Sequence, residues 1–174
     1  MPELPEVEFS ARRLRQWLVG RRVVQARAQE GTPLRSQAAE AFCQAFQGAK
    51  ATDVRRIGKQ LFLEFDNQTT VLCHLGMTGK WRRLVMDAPA SRWCRTSWLL
   101  DDGHRLEYVD PRRFGRLRAL PASQVRTHPE IARLGPDALE LCLDSPMFYG
   151  RVCVGQRAIK TVLMDQSVLA GVGN

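Results

Sequence analysis

The first eight residues, Met1-Pro2-Glu3-Leu4-Pro5-Glu6-Val7-Glu8, place a proline one step from the start of the chain among several carboxylates. Removal of Met1, which a small second residue permits, would turn Pro2 into an α-amine. Such an amine has a pKa near roughly 7.7–8 against about 10.4 for lysine, so far more of it is neutral and nucleophilic at physiological pH. A secondary amine attacking a sugar C1′ gives a permanently cationic iminium, an electron sink that acidifies the C2′ proton and permits phosphate elimination. Glu3 stands beside it and could shuttle protons during ring opening and loss of a base. The positive end of the helix that follows disfavours the ammonium form further. The same residues would serve equally well as an ordinary helix start with acidic capping side chains.

Four further clusters carry chemistry. Lys59, in Arg55-Arg56-Ile57-Gly58-Lys59-Gln60, stands at the start of an apolar strand and reads as a general acid, a phosphate contact or a solvated charge. In His74-Leu75-Gly76-Met77-Thr78-Gly79-Lys80 two glycines allow a tight turn, Met77 is an apolar wedge, and His74 is a neutral phosphate donor. The plain alternative is a hairpin with a core methionine. Asp110-Pro111-Arg112-Arg113-Phe114-Gly115 joins a Phe to two Arg on a turn, the composition of a groove probe, unless Phe114 is simply buried. Lys160 and the closing Gly171-Val172-Gly173-Asn174 could hold phosphates near a helix start.

The elements that must position these residues change character twice. Residues 5–18 show a helical stripe of Val7, Ala11, Leu14 and Leu18, stopped by Gly20. A second helix is predicted over 36–47, with Ser36 as cap and Ala38, Phe42 and Ala45 on the buried side. Period-two patterning marks strands at 23–28, 51–57, 61–65, 70–75, 80–85, 96–100, 105–109 and 115–120, an antiparallel sandwich or barrel. After Pro121 helices are predicted at 123–134, 137–143 and 156–165.

The chain is basic, with a net charge of +8 and only four lysines, at 50, 59, 80 and 160. That balance favours a polyanionic partner, and Arg suits bidentate phosphate contacts, although an Arg-preferring genome accounts for many positions equally well. Five widely spaced cysteines (43, 73, 94, 142, 153) form no Cys-x-x-Cys pair and read as reduced thiols of a cytoplasmic protein. Neither a leader peptide nor a long apolar run is visible, so no membrane partner is expected.

The order and spacing of Met-Pro-Glu-Leu-Pro-Glu-Val-Glu, His-Leu-Gly-Met-Thr-Gly, Asp-Pro-Arg-Arg-Phe-Gly and the terminal Gly-Val-Gly-Asn resemble the bacterial formamidopyrimidine-DNA glycosylase family across all 174 residues. The resemblance implies an α+β fold. An eight-stranded antiparallel β-sandwich with flanking helices forms a catalytic domain over 1–121. Residues 122–174 then begin a helix-two-turn-helix domain. It implies a bifunctional glycosylase and AP lyase of base-excision repair, removing 8-oxoguanine and formamidopyrimidines from double-stranded DNA. Pro2 would be the Schiff-base nucleophile, Glu3 the proton donor, and Lys59 an aid to β-elimination that binds phosphate. Met77, Arg112 and Phe114 would fill the gap left by the everted nucleotide, with Arg112 on the orphaned cytosine, and His74, Lys160 and Asn174 would grip phosphates. The implied protein is a monomer that works at the nucleoid. Leu4 and the complete probing triad favour purine over pyrimidine lesions.

Three departures qualify the resemblance. Trp93-Cys94-Arg95 replaces a His-Asp-His turn that usually contacts DNA, and Gly155-Gln156-Arg157 thins the basic residues before Ala158-Ile159-Lys160. The family continues into a four-cysteine zinc finger, of which this sequence shows nothing, so this chain is expected to bind no zinc or other cofactor. The competing expectations are a catalytically impaired, truncated DNA-binding remnant of the same family, or an RNA-binding β-barrel that leaves the N-terminal motif unexplained.

Overall fold

The structure, a computed structural model, describes residues 2–31, 33–34, 37–140, 145–153 and 155–174. Helix α1 (Leu4–Leu18) begins one residue earlier than its periodicity predicts. Pro5 pre-sets the first turn and the Glu6 carboxylate accepts the Glu3 N–H at 3.0 Å. Val7, Ala11, Leu14 and Leu18 form its buried stripe. Helix α2 (Ala39–Gln44) is shorter than predicted. Ser36, the expected cap, lies outside the described residues, and Glu30 accepts the Ala39 N–H at 2.9 Å. Ala38 is exposed, and the helix buries Ala39, Phe42 and Cys43 instead.

All eight predicted strands form, within one residue or two of their expected bounds. They are β1 (Val23–Ala28), β2 (Ala51–Ile57), β3 (Gln60–Phe65), β4 (Thr69–His74), β5 (Lys80–Val85), β6 (Cys94–Leu100), β7 (His104–Val109) and β8 (Arg116–Pro121). They make two antiparallel four-stranded sheets, ordered β1-β6-β7-β5 and β2-β3-β4-β8. Inward residues of both sheets join the stripes of α1 and α2 in one apolar core. Phe46, Phe65, Trp81, Trp98 and Tyr108 are its aromatic centre, and Phe65 and Trp98 meet from opposite sheets at 6.2 Å between ring centroids.

The later segments depart further from expectation. The helix predicted over 123–134 is split into α3 (Ala122–Val125) and α4 (Pro129–Ala132), because Pro129 lacks the N–H that would continue α3 and instead starts α4. Val125 and Ile131 cover Phe62 and Leu72 on the outer face of the second sheet. The helix predicted over 137–143 does not start where expected. Asp137 pairs with Ala170 in an isolated parallel bridge, and its carboxylate accepts the N–H groups of Leu139 and Glu140; residues 141–144 lie outside the described residues. Helix α5 (Ser145–Val152) is one the sequence reading missed, and α6 (Ile159–Met164) is a shortened form of the helix predicted over 156–165. Among the described residues no helix is long and apolar enough to cross a membrane.

Candidate active site and nucleic-acid interface

Strands β2 and β3 pair up to Ile57 and Gln60, so Gly58 and Lys59 form the tip of a two-residue hairpin in which Gly58 takes φ +57°. This tip is clamped from beneath. Asp137 accepts the Gly58 N–H at 2.5 Å, and Arg56 donates to the Gly58 carbonyl at 2.9 Å. The Arg56 guanidinium, wholly enclosed, also donates to both oxygens of Asp137, at 2.5 and 2.9 Å, and to Glu8 on α1 at 2.9 Å. Burial is the largest single influence and pushes the Asp137 and Glu8 carboxyls up, but hydrogen bonds and positive charge together hold both below their ordinary values, from Arg56 and the Gly58 and Leu139 N–H groups at Asp137 and from Arg56, Arg12 and Arg15 at Glu8. One buried cation thus joins the first helix, the second strand and the segment after Gly135-Pro136.

Held in this way, Lys59 forms an ion pair with the Glu3 Oε2, both side chains being largely covered. The Gly-rich turn at residues 170–173 closes over the pair. A Cβ at Gly173 would overlap the Glu3 carboxylate, and one at Gly171, where φ is +110°, would strike the Leu4 side chain. Gln166 anchors this turn to the end of α6, accepting the Gly171 N–H at 2.9 Å and donating to the Val172 carbonyl at 2.8 Å. Pro2 is half-buried, adjoins Glu3 in the chain and lines a cavity of about 460 Å³ with Glu6, Phe9, Arg13 and Trp81. Met1 lies outside the described residues. Lys160 stands exposed on the first turn of α6 and Asn174 exposed after the glycine turn, the two flanking the Gln166 anchor in sequence.

His74 closes β4, facing Gln60 on one side and Arg116 on the other. Its Nδ1 accepts the Gly76 N–H at 3.0 Å, which leaves Nε2 to carry the proton of the neutral ring. Burial first, then the positive charge of Arg116, hold its pKa down at about 4. Glu130 from α4 pairs with Arg116 at 2.8 Å.

The loop after β4 and the loop after β7 emerge together. Met77 and Phe114 are exposed by 42% and 51%, and the Arg112 guanidinium lies 5.0 Å from the Phe114 ring centroid. These large apolar side chains are therefore not core residues, which removes the plain alternative for both turns. Beneath them, fully buried Asp110 accepts from the Thr78 hydroxyl at 2.5 Å and from the Gly115 N–H at 2.8 Å. Gly76 lies against the backbone of Phe114 and Gly115, and Gly79 and Gly115 both lie against the Tyr108 hydroxyl.

Sequence reasoning missed Arg56, Asp137, Thr78, Asp110, Tyr108 and Gln166. Arg56 alone carried a usable signal, since it falls in step with Val54 on the inward side of the period-two pattern. Arg95, in the turn flagged as a departure, is buried and donates to the Asp110 carbonyl at 2.9 Å, while neighbouring Trp93 is partly exposed with Arg92 stacked at 4.5 Å. Among the described residues no cluster of His, Cys, Asp and Glu could hold a metal ion.

A model of the formamidopyrimidine-DNA glycosylase N-terminal domain matches residues 1–117. The formamidopyrimidine-DNA glycosylases of Herpetosiphon aurantiacus and of Xanthomonas campestris pv. campestris strain B100 are 41% and 42% identical over the whole of this chain. The chain spans 63% of the length of each. The solved structure of Lactococcus lactis formamidopyrimidine-DNA glycosylase non-covalently bound to AP-site-containing DNA superposes with a TM-score of 0.88 at 27% identity, covering 99% of this chain and 66% of that one. MutM in complex with DNA containing carbocyclic 8-oxo-G superposes with a TM-score of 0.89 at 28% identity, covering 99% and 64%. Sequence and fold agree: the chain belongs to the formamidopyrimidine-DNA glycosylase family.

Proposed function

We infer that this chain is the catalytic portion of a base-excision repair enzyme, a DNA glycosylase with an AP lyase step that acts on oxidised purines, 8-oxoguanine and formamidopyrimidines, in duplex DNA. The observation that carries the reading is the covered Glu3–Lys59 ion pair beside Pro2, closed over by Gly173. With Met1 removed, the Pro2 nitrogen bonds to C1′ as the C1′–base bond breaks, the departing base takes up a proton from water, and the amine proton passes to the Glu3 carboxylate. Glu3 delivers a proton to O4′ as the sugar ring opens, leaving a cationic iminium. That iminium acidifies C2′–H, and loss of this proton expels the 3′-phosphate. Lys59 holds the Glu3 carboxylate in place and stands ready for the departing phosphate.

Reaching C1′ requires the nucleotide to leave the stack. Met77, Arg112 and Phe114 are the exposed groups that would fill the gap, with Arg112 facing the orphaned cytosine. His74 would offer its Nε2–H, and Lys160 and Asn174 their side chains, to phosphates on either side. Residues 1–121 form the catalytic unit in this reading, and 122–174 begin a helical DNA-binding unit whose far end returns to complete the site. The protein acts as a monomer in the cytoplasm.

The test is incubation of a chain shown to begin at Pro2 with an abasic-site duplex under borohydride. A covalent adduct is expected, and its loss on retention of Met1, which places the Pro2 nitrogen in a peptide bond. Salt-sensitive duplex binding with no adduct from the Pro2 chain would overturn the catalytic reading in favour of a DNA-binding remnant.

A further inference from the structure

The two loops that carry Met77 and Arg112 share one hydroxyl. Thr78 Oγ1 donates to Asp110 Oδ1 at 2.5 Å and accepts the Arg112 backbone N–H at 3.3 Å. Asp110 is fully buried, and its other oxygen holds the Gly115 N–H at 2.8 Å, on the far side of Phe114. Backbone contacts alone do not fix Arg112, which sits outside the close packing of Gly76 on Phe114 and Gly115. The Thr78 hydroxyl is therefore the polar link between the residue after Met77 and the amide of Arg112. Arg113 next to it adopts φ +58°, a conformation non-glycine residues hold only under constraint from their surroundings.

We propose that Thr78 is a positioning residue for opposite-base recognition: its hydroxyl fixes the Arg112 backbone to the Met77 turn, so that wedge and finger enter DNA as one rigid body. The proposal rests on the reading that these residues probe the duplex. A hydroxyl that accepts from Arg112 and donates to a buried carboxylate cannot be replaced by a methyl without leaving Asp110 Oδ1 unmatched and releasing the exposed Arg112 N–H to water. The side chain of Arg112 would then sample orientations that no longer register against a base.

The experiment compares wild type with Thr78→Val and Thr78→Ser, using duplexes with an abasic analogue opposite cytosine or adenine. Wild type is expected to bind the cytosine duplex more tightly. Thr78→Val should lose about tenfold of that preference, the worth of one well-placed hydrogen bond, and Thr78→Ser should keep it. Amide hydrogen exchange at Arg112 and Gly115 should quicken in Thr78→Val alone, a readout that needs no DNA. An unchanged preference with unchanged exchange overturns the proposal while leaving the catalytic reading intact, as does an equal loss of affinity for both duplexes. Failure of wild type to trap or to discriminate sinks the underlying reading as well. Should Thr78→Val not fold, Thr78→Ala, judged by the same preference and exchange, decides in its place.

Discussion

Asp137 accepts the backbone N–H of Gly58 at 2.5 Å across a sequence separation of 79 residues, and in doing so sets the tip that carries Lys59. The same carboxylate neutralises Arg56, so a single side chain fixes both the backbone and the charge beneath the reactive corner.

Removing that carboxylate takes away the bidentate partner of an enclosed guanidinium and leaves it Glu8, the Gly58 carbonyl and the exposed, more distant Glu140. Asp137→Ala is expected to cost about 3–5 kcal/mol in unfolding free energy, as for other buried pairs broken from one side. Asp137→Asn, which keeps the acceptor for Gly58 but not the charge, should fall between. Urea midpoints of the three proteins check the order.

Gly173→Ala places a methyl where the Glu3 carboxylate lies. Either the carboxylate or the turn must give way, and a displacement of about 1 Å at a reacting group costs on the order of a hundredfold in rate. Borohydride trapping should fall accordingly while duplex affinity changes little. Trapping at the wild-type rate would show that the glycine turn does not bear on the chemistry.

His74 gives a pH signature of known sign. Its folded pKa of about 4 lies below the value of about 6.5 it recovers on unfolding, so between these the unfolded chain binds more protons. Stability should therefore rise with pH across this window and be lost as pH falls through it, by about 3 kcal/mol in the limit. His74→Asn should flatten that slope in urea titrations.

The cysteines divide by reactivity. Burial pushes the thiols of Cys43 and Cys94 to about 11 and that of Cys73 to about 12, whereas Cys153 is exposed. Iodoacetamide at neutral pH, followed by peptide mapping, should label Cys153 ahead of these three in the native protein and all five cysteines of the chain in urea. Early labelling of Cys73 would mean that the core opens.

The β-sandwich was legible in the sequence because alternation in strands such as β2 and β6 has one dominant cause, an apolar core on one side only. Helix α1 was legible for the same reason at period 3.6. The misses cluster where local signals compete with distant partners. Glu30 rather than a neighbouring hydroxyl receives the Ala39 N–H, and Asp137 is drawn out of a helical run by Arg56 and Ala170. Pro129, which lacks an N–H to donate, divides the helix predicted over 123–134. In the site, the exposed tips Met77, Arg112 and Phe114 could be picked out by composition. The groups beneath them could not: Thr78 and Asp110 matter through hydrogen bonds that the fold assembles, the one between them joining residues 32 apart.

The closing of Gly173 over Glu3 has a bearing on biosynthesis. During vectorial synthesis the two sheets can form once residue 121 has left the ribosome, but the cover over Glu3 is then missing, and so is the Asp137 clamp under Gly58. A nascent chain would already display its folded β-sandwich and its paired loops while its amino terminus stood open to water. The corner around Pro2 is thus the last part of this chain to mature, and a ribosome stalled midway would present a groove-probing surface before a complete reactive one.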